Sequence, residues 1–123
     1  MITNYKELEV WKRSVGLATE LYKLTSRFPD TERYGLTSQI RRATTLIPAN
    51  IAEGWGRGST GEYVQFLTVA RGSLMEVETH LIVACNLQLL SAVALAALSN
   101  EIEEIGKMLN ALIGALKCRK NRD

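Results

Sequence analysis

The chain has 123 residues, of which 46% are hydrophobic and 23% charged, and its 15 basic and 13 acidic side chains leave a net charge of +2. That length fits one compact domain, and the hydrophobic share is too high and the net charge too low for a disordered chain. Two prolines and few aromatics argue against an all-β sandwich with its many strand-and-turn units. The expectation is a single all-helical domain over residues 1–123.

The opening residues Met1 to Val10 carry Lys6, Glu7 and Glu9 and contain no apolar signal core. The longest apolar-rich stretch, Leu87 to Leu98, is interrupted by Gln88 and Ser91 and is shorter than the ~20 residues a membrane span needs. A cytoplasmic protein with no membrane partner is expected. Cys85 and Cys118 fit no CxxC spacing and His80 is the single histidine, so neither a thiolate–imidazole metal site nor any cofactor is expected.

In chain order, the first helix is predicted from Tyr5 to Ser26. Leu8, Trp11, Val15, Ala18, Tyr22 and Thr25 form one helical seam, and Leu17, Leu21, Leu24 and Phe28 form a second beside it. Asn4 with Glu7 reads as a capping box, and Phe28-Pro29-Asp30 ends the helix because a residue before proline is pushed out of helical geometry. The second helix is predicted over Tyr34 to Glu53, with Leu36, Ile40, Ala43 and Ile47 facing inward and a kink or break between Thr44 and Pro48. Gly54, Gly56, Gly58 and Gly61 mark a loop, and Ser59 with Glu62 caps the third helix, Gly61 to Cys85.

Tyr63, Leu67, Ala70, Leu74, Val77, Leu81 and Ala84 give that helix a heptad-like seam, with Asn86 as a left-handed stop. Ser91 caps a fourth helix with the seam Leu95, Leu98, Ile102, Ile105, Leu109, Leu112 and Leu116, and the basic tail Lys117 to Asp123 is expected to fray. Four helices of roughly 20 residues, about 30 Å long at 1.5 Å per residue and joined by short links, make an antiparallel up-down-up-down four-helix bundle.

The chemistry-bearing residues do not assemble into a catalytic motif. The glycine-spaced segment Gly54 to Gly61 lacks a P-loop lysine and a preceding strand, so it reads as an interhelical loop first and as an anion or RNA-backbone contact second. On the second helix Gln39, Arg42, Asn50 and Glu53 share a face, as do Ser73, Glu76 and His80 on the third. Gln39, Arg42, Asn50, Glu53, Ser73 and Glu76 are read as a structural polar network in which Arg42 pairs with Glu76 or Glu53, because polar groups beside a bundle core must pair when buried. Glu53, Glu76 and His80 as acid–base groups of a hydrolase are the weakest alternative.

Arg33, Arg41 and Arg57, with Lys117, Arg119 and Lys120 near the end of the chain, are the candidate nucleic-acid-binding residues. The excess of positive charge is modest in one chain, but symmetric assembly multiplies it. Trp11 is expected in the core and Trp55 at a packing or subunit contact.

Phe28-Pro29, Glu32-Arg33-Tyr34-Gly35-Leu36, Gln39-Ile40-Arg41-Arg42-Ala43, Ile47-Pro48-Ala49-Asn50-Ile51-Ala52-Glu53-Gly54, Gly56-Arg57 and Phe66-Leu67-x-x-Ala70-x-Gly72-Ser73-Leu74-x-Glu76, preceded by Leu8-x-Val10-Trp11, together carry a family resemblance over about residues 5–117. The chain resembles the bacterial four-helix-bundle family named after proteins encoded in intervening sequences of 23S rRNA genes. It is also similar to the accessory variability protein of diversity-generating retroelements, a related pentamer whose basic surface engages RNA and a reverse transcriptase. The resemblance implies a homopentamer with a central channel, Arg41 and Arg57 as RNA contacts, and Arg42, Asn50 and Glu53 as structural residues. The functional expectation is a non-enzymatic oligomeric bundle associated with structured RNA or a ribonucleoprotein partner. A protein-interaction scaffold without nucleic-acid contact is the alternative.

Overall fold

The computed structural model describes the backbone of residues 1–122 and the side chains as far as Arg119. A short 3-10 turn, Tyr5–Glu7, leads into α1 (Glu9–Thr25), and a second, Asp30–Glu32, leads into α2 (Leu36–Trp55), α3 (Thr60–Asn86) and α4 (Ala92–Arg122). Among the described residues there is no strand. Each helix packs on its neighbour in the chain, α4 closes against α1, and the diagonal pairs α1/α3 and α2/α4 do not meet. This is the up-down-up-down bundle the apolar periodicity demands. None of its described helices is long and apolar enough to cross a membrane.

The core is drawn from all four helices, with Leu17, Leu21, Ile40, Ile47, Ile51, Leu67, Leu74, Leu81, Ile105 and Leu109 essentially sealed from solvent. Burying each such side chain contributes about 1.5–3 kcal/mol. The expected seams of α2, α3 and α4 face inward as read, with Ile113 added to the last. On α1 the second seam is buried, whereas of the first only Ala18 and Thr25 are, and Trp11 is not in the sealed core as expected. Val10, Ser14, Leu17, Leu21 and Thr25 are buried, whereas Trp11 and Val15 are half-buried and Tyr22 is 43% exposed. The α1–α4 interface is thin beside the α2–α3 interface, so α1 has only one broad partner and Trp11, Val15 and Tyr22 of its first apolar seam are left at the surface.

Caps and breaks follow local chemistry. The Ser59 hydroxyl accepts from the Glu62 N–H at 3.2 Å and donates to the Glu62 carboxylate at 3.1 Å, and the Ser91 hydroxyl accepts from the Ala94 N–H at 3.1 Å, so both expected N-caps are formed. Asn4 caps the first 3-10 turn instead of α1, accepting from the Lys6 N–H at 2.9 Å. Glu7 reaches back past it to the N–H of Thr3 at 2.9 Å, a hydrogen bond that holds its carboxyl below the ordinary carboxylate range.

Of the kink or break expected between Thr44 and Pro48, the break does not occur: α2 continues through Pro48, whose flanking Ile47 and Ile51 are fully buried and hold the helix together across the missing donor. The left-handed stop after α3 falls at Gln88 (φ 62°), not Asn86. There the Leu89 N–H bonds to the Ala84 carbonyl at 2.9 Å and the Gln88 N–H to the Cys85 carbonyl at 3.0 Å, closing the helix end two residues later so that Leu90 turns into the core. Nor does α4 stop at Leu116. It remains helical to Arg122, with Leu116 buried and the cations Lys117 and Arg119 at the electronegative end of the helix.

Arg13 on α1 forks onto Glu101 on α4, its Nε donating at 3.1 Å to one carboxylate oxygen while a terminal N–H reaches the other. Both side chains are about 30% exposed, and the hydrogen bond to Glu101 raises the guanidinium pKa further above its ordinary value. A double-mutant cycle of Arg13→Ala and Glu101→Ala should give a stabilising coupling in denaturant unfolding, because the contact is two-pronged. A coupling indistinguishable from zero would remove this pair from the α1–α4 interface energetics.

Candidate nucleic-acid interface

The antiparallel topology sorts the candidate cations onto opposite ends of the bundle. Arg33 and Arg41 lie at the α1–α2 corner, where they line a surface cleft of about 260 Å³ with Thr25, Phe28 and Asp30. Arg57, Lys117 and Arg119 lie at the other end, where the α2–α3 loop meets the last turns of α4. The side chain of Lys120 lies outside the described residues.

Arg41 is a clamp more than a free charge. Its Nε donates to the Thr25 hydroxyl at 2.9 Å, a terminal N–H donates to the Tyr22 carbonyl at 3.2 Å, and the guanidinium stands 4.6 Å from the Tyr22 ring centroid. The Thr25 hydroxyl in turn donates to the Leu21 carbonyl at 2.7 Å. These ties pin the start of α2 to the end of α1. Arg33, by contrast, rests 5.8 Å from the ring of the exposed Tyr34 and is itself exposed. Lys23, Arg27 and Arg42 are exposed around the same corner. Among the described residues none of Lys23, Arg27, Arg33, Arg41 and Arg42 has a carboxylate oxygen within 4 Å. Lys23 and Arg27 are not among the candidates that sequence reasoning selects, although their four-residue spacing on one helix is an available signal.

At the opposite end the charges are locally compensated. Arg57 lies 3.5 Å from Glu53 and 3.8 Å from Glu62, with its guanidinium 4.9 Å from the Phe66 ring. Arg119 lines a cavity of about 210 Å³ with Gly54, Trp55, Ser59 and Tyr63. Trp55 packs edge-on against Tyr63, centroids 6.1 Å apart. The Tyr63 hydroxyl is buried without a hydrogen-bond partner, and burial pushes the phenol above its usual pKa. The glycine loop is shaped by packing here. Gly54 lets α2 approach Phe66 and Tyr63 closely, and Gly58 takes the left-handed backbone (φ 82°).

The six residues read as one polar network do not join. Gln39 and Arg42 are at the surface, Asn50 donates to its own Leu46 carbonyl at 2.7 Å, Glu53 pairs with Arg57, Glu76 lies 3.4 Å from His80, and Ser73 is buried on α3. The expected Arg42–carboxylate pair is absent: Glu53 faces Arg57 and Glu76 faces the His80 ring, each four residues along its own chain segment, and Arg42 is exposed to solvent. Glu53, at the loop end of α2, does not approach the Glu76–His80 pair, so no acid–base trio forms. Among the described residues no three His, Cys, Asp or Glu side chains cluster as metal ligands, and Cys85 and Cys118 are free thiols on different helices.

Beside the Arg41 clamp, α1 and α2 leave an apolar groove of about 660 Å³, lined by Trp11, Val15, Ala18, Tyr22, Pro48 and Ala52 among others. It is built from the α1 seam that the core does not use.

Residues 6–111 match the family model described as 23S rRNA-intervening sequence protein. The chain belongs to that family. The matched span holds every motif on which the resemblance rests and stops before Lys117, so the basic tail is not part of what defines this intervening-sequence protein. A solved structure from the S23 ribosomal protein family of Bacteroides thetaiotaomicron VPI-5482, described as a protein with unknown function, superimposes with a TM-score of 0.79. The match covers 85% of this chain and 95% of that one at 23% identity, and at that identity it shows the shared fold alone. No curated protein matches.

Proposed function

We propose that this intervening-sequence protein is a non-enzymatic, homo-oligomeric bundle, pentameric as the resemblance implies, that serves in the cytoplasm as an accessory factor on structured RNA or a ribonucleoprotein. The observation that carries the reading is the α1–α2 corner. Lys23, Arg27, Arg33 and Arg42 stand exposed there with no carboxylate holding them, and Arg41 fixes the two helices that present them. Phosphate affinity grows with the number of cations offered together, so a corner that is modestly basic in one chain becomes a strong polyanion surface when repeated by symmetry.

Arg27→Glu with Arg33→Glu should weaken binding to a structured RNA at least about 10-fold at moderate salt. The double change should also make the dependence of log K on log salt shallower, roughly in proportion to the number of phosphates that the altered corner no longer neutralises. Arg57→Glu should have the smaller effect, since Glu53 and Glu62 already neutralise that guanidinium. Filter binding or fluorescence anisotropy across a salt series reads both. Binding that ignores salt and the corner substitutions favours the second reading, a protein-interaction scaffold, for which the apolar α1–α2 groove is the favouring observation.

A further inference from the structure

The cleft of about 260 Å³ at the α1–α2 corner holds charges of both signs that do not pair. Arg33, Arg41 and Asp30 all line it, yet among the described residues no oxygen of Asp30 comes within 4 Å of a cationic nitrogen. Arg41 commits its Nε and one terminal nitrogen to Thr25 and Tyr22, and its other terminal nitrogen has no hydrogen-bond partner. Thr37, in the first turn of α2, lines the same cleft and is only 8% exposed. Its hydroxyl takes part in none of the hydrogen bonds among the described residues, although those of Thr25, Ser38 and Thr45 nearby all do. Hydroxyls buried to that degree are ordinarily paired. Phe28 and Pro29 add apolar surface to the same cleft.

A ligand that satisfies this set is apolar on its faces and carries hydrogen-bond acceptors and donors side by side on its rim. We propose that the cleft takes the base of an unpaired guanine. This deepens the RNA reading above and rests on it. Guanine offers the acceptors O6 and N7 to a guanidinium and, on its Watson–Crick edge, the adjacent donors N1–H and N2–H to a carboxylate. Arg33 and Arg41 suit the first pair and Asp30 the second, with the Thr37 hydroxyl free to bond the rim and Phe28 and Pro29 in contact with the ring. Adenine brings no adjacent pair of ring and amino donors to the carboxylate. In a duplex the Watson–Crick edge is already used, so the base must come from a loop, a bulge or an end. A phosphate suits the cleft less well. Asp30 repels it, and the start of α2, which would otherwise attract an anion, already faces Glu32, whose Oε1 lies 3.5 Å from where a Cβ on Gly35 would stand. The exposed Lys23, Arg27 and Arg42 around the cleft then hold the backbone while the cleft reads the base, the usual division between contacts that position and contacts that specify.

The test uses the full chain and fluorescence anisotropy at moderate salt. The probe is a labelled RNA hairpin whose loop is uridine apart from one guanosine, beside the same hairpin with inosine or adenosine at that position. The guanosine hairpin should bind at least about fivefold more tightly than the adenosine hairpin, with inosine, which lacks only the 2-amino group, between them. That arm needs no change to the protein. Asp30→Ala should erase the preference by weakening the guanosine complex, and Thr37→Val should reduce it, with circular dichroism as the fold control for both. Three hairpins bound alike, with Asp30→Ala tightening all of them, would overturn the guanine cleft and leave the RNA reading standing, because a carboxylate beside a phosphate only repels. No salt-dependent binding of any hairpin would overturn both. Guanosine monophosphate as a competitor separates the two sources of the base: displacement only far above the hairpin concentration supports a base carried on RNA, whereas displacement as effective as that by unlabelled hairpin overturns that placement in favour of a free nucleotide.

Discussion

Gly54→Ala should lower the stability of the bundle by about 1–3 kcal/mol, whereas Gly16→Ala should raise it by up to about 1 kcal/mol. Both glycines sit inside helices, where alanine is ordinarily preferred because it gives up less backbone entropy. The surroundings reverse the sign at one of them. A Cβ on Gly54 would stand 2.8 Å from the Phe66 Cβ, 3.0 Å from the Tyr63 ring and 3.3 Å from the Tyr63 carbonyl oxygen. Phe66 Cβ moves only with the backbone of α3, so relief requires the two most extensively packed helices to separate. A Cβ on Gly16 meets nothing within 4 Å. Urea unfolding of the two variants should place their midpoints on opposite sides of the unaltered chain, with melting temperatures moving about 4 °C per kcal/mol for a domain of this size. Equal or greater stability of Gly54→Ala would mean that the close α2–α3 approach does not set the position of the glycine loop.

That approach shows what periodicity can and cannot reveal. The helices, their order and the seams of α2, α3 and α4 are legible because three- and four-residue spacing of Leu, Ile and Ala has one physical solution in a small chain. The two seams of α1 are not distinguishable on the same basis. Both are apolar at helical spacing, and which one turns inward depends on how thinly α1 meets α4, a tertiary property. Arg41 and Arg42 are neighbours in sequence and chemically identical, yet one step of helix rotation puts the first on Tyr22 and Thr25 and the second in solvent. For packing, the two arginines exchange the roles expected of them: Arg41 holds structure, and Arg42 has no ionic partner within reach. Short-range pairing also overrides the expected cross-helix network, because a carboxylate with a hydrogen-bonding partner four residues away needs none across the bundle. The division of the candidate cations between the two ends follows from topology and is implicit in the helix order alone.

Thr44→Val should raise stability by about 1–2 kcal/mol, an effect opposite to that of Thr25→Val. Thr44 is fully buried on α2, and its hydroxyl has no hydrogen-bond partner. Pro48, four residues on, lacks the N–H that would otherwise bond the Thr44 carbonyl, so this residue carries two groups, the unpartnered hydroxyl and a carbonyl without its usual helical donor. Valine keeps the volume and the β-branched rotamer and removes one of them. Thr25 is buried to nearly the same degree, but its hydroxyl accepts from Arg41 at 2.9 Å and donates to the Leu21 carbonyl at 2.7 Å. Losing that hydroxyl strips the clamp of its acceptor and should cost about 1–3 kcal/mol. Thermal and urea unfolding of the two variants, and of the double variant in which the changes should nearly cancel, decide the matter. If Thr44→Val destabilises the bundle as much as Thr25→Val, the hydroxyl of Thr44 is satisfied in solution, and the unbroken course of α2 through Pro48 depends on a bond that the static arrangement does not contain.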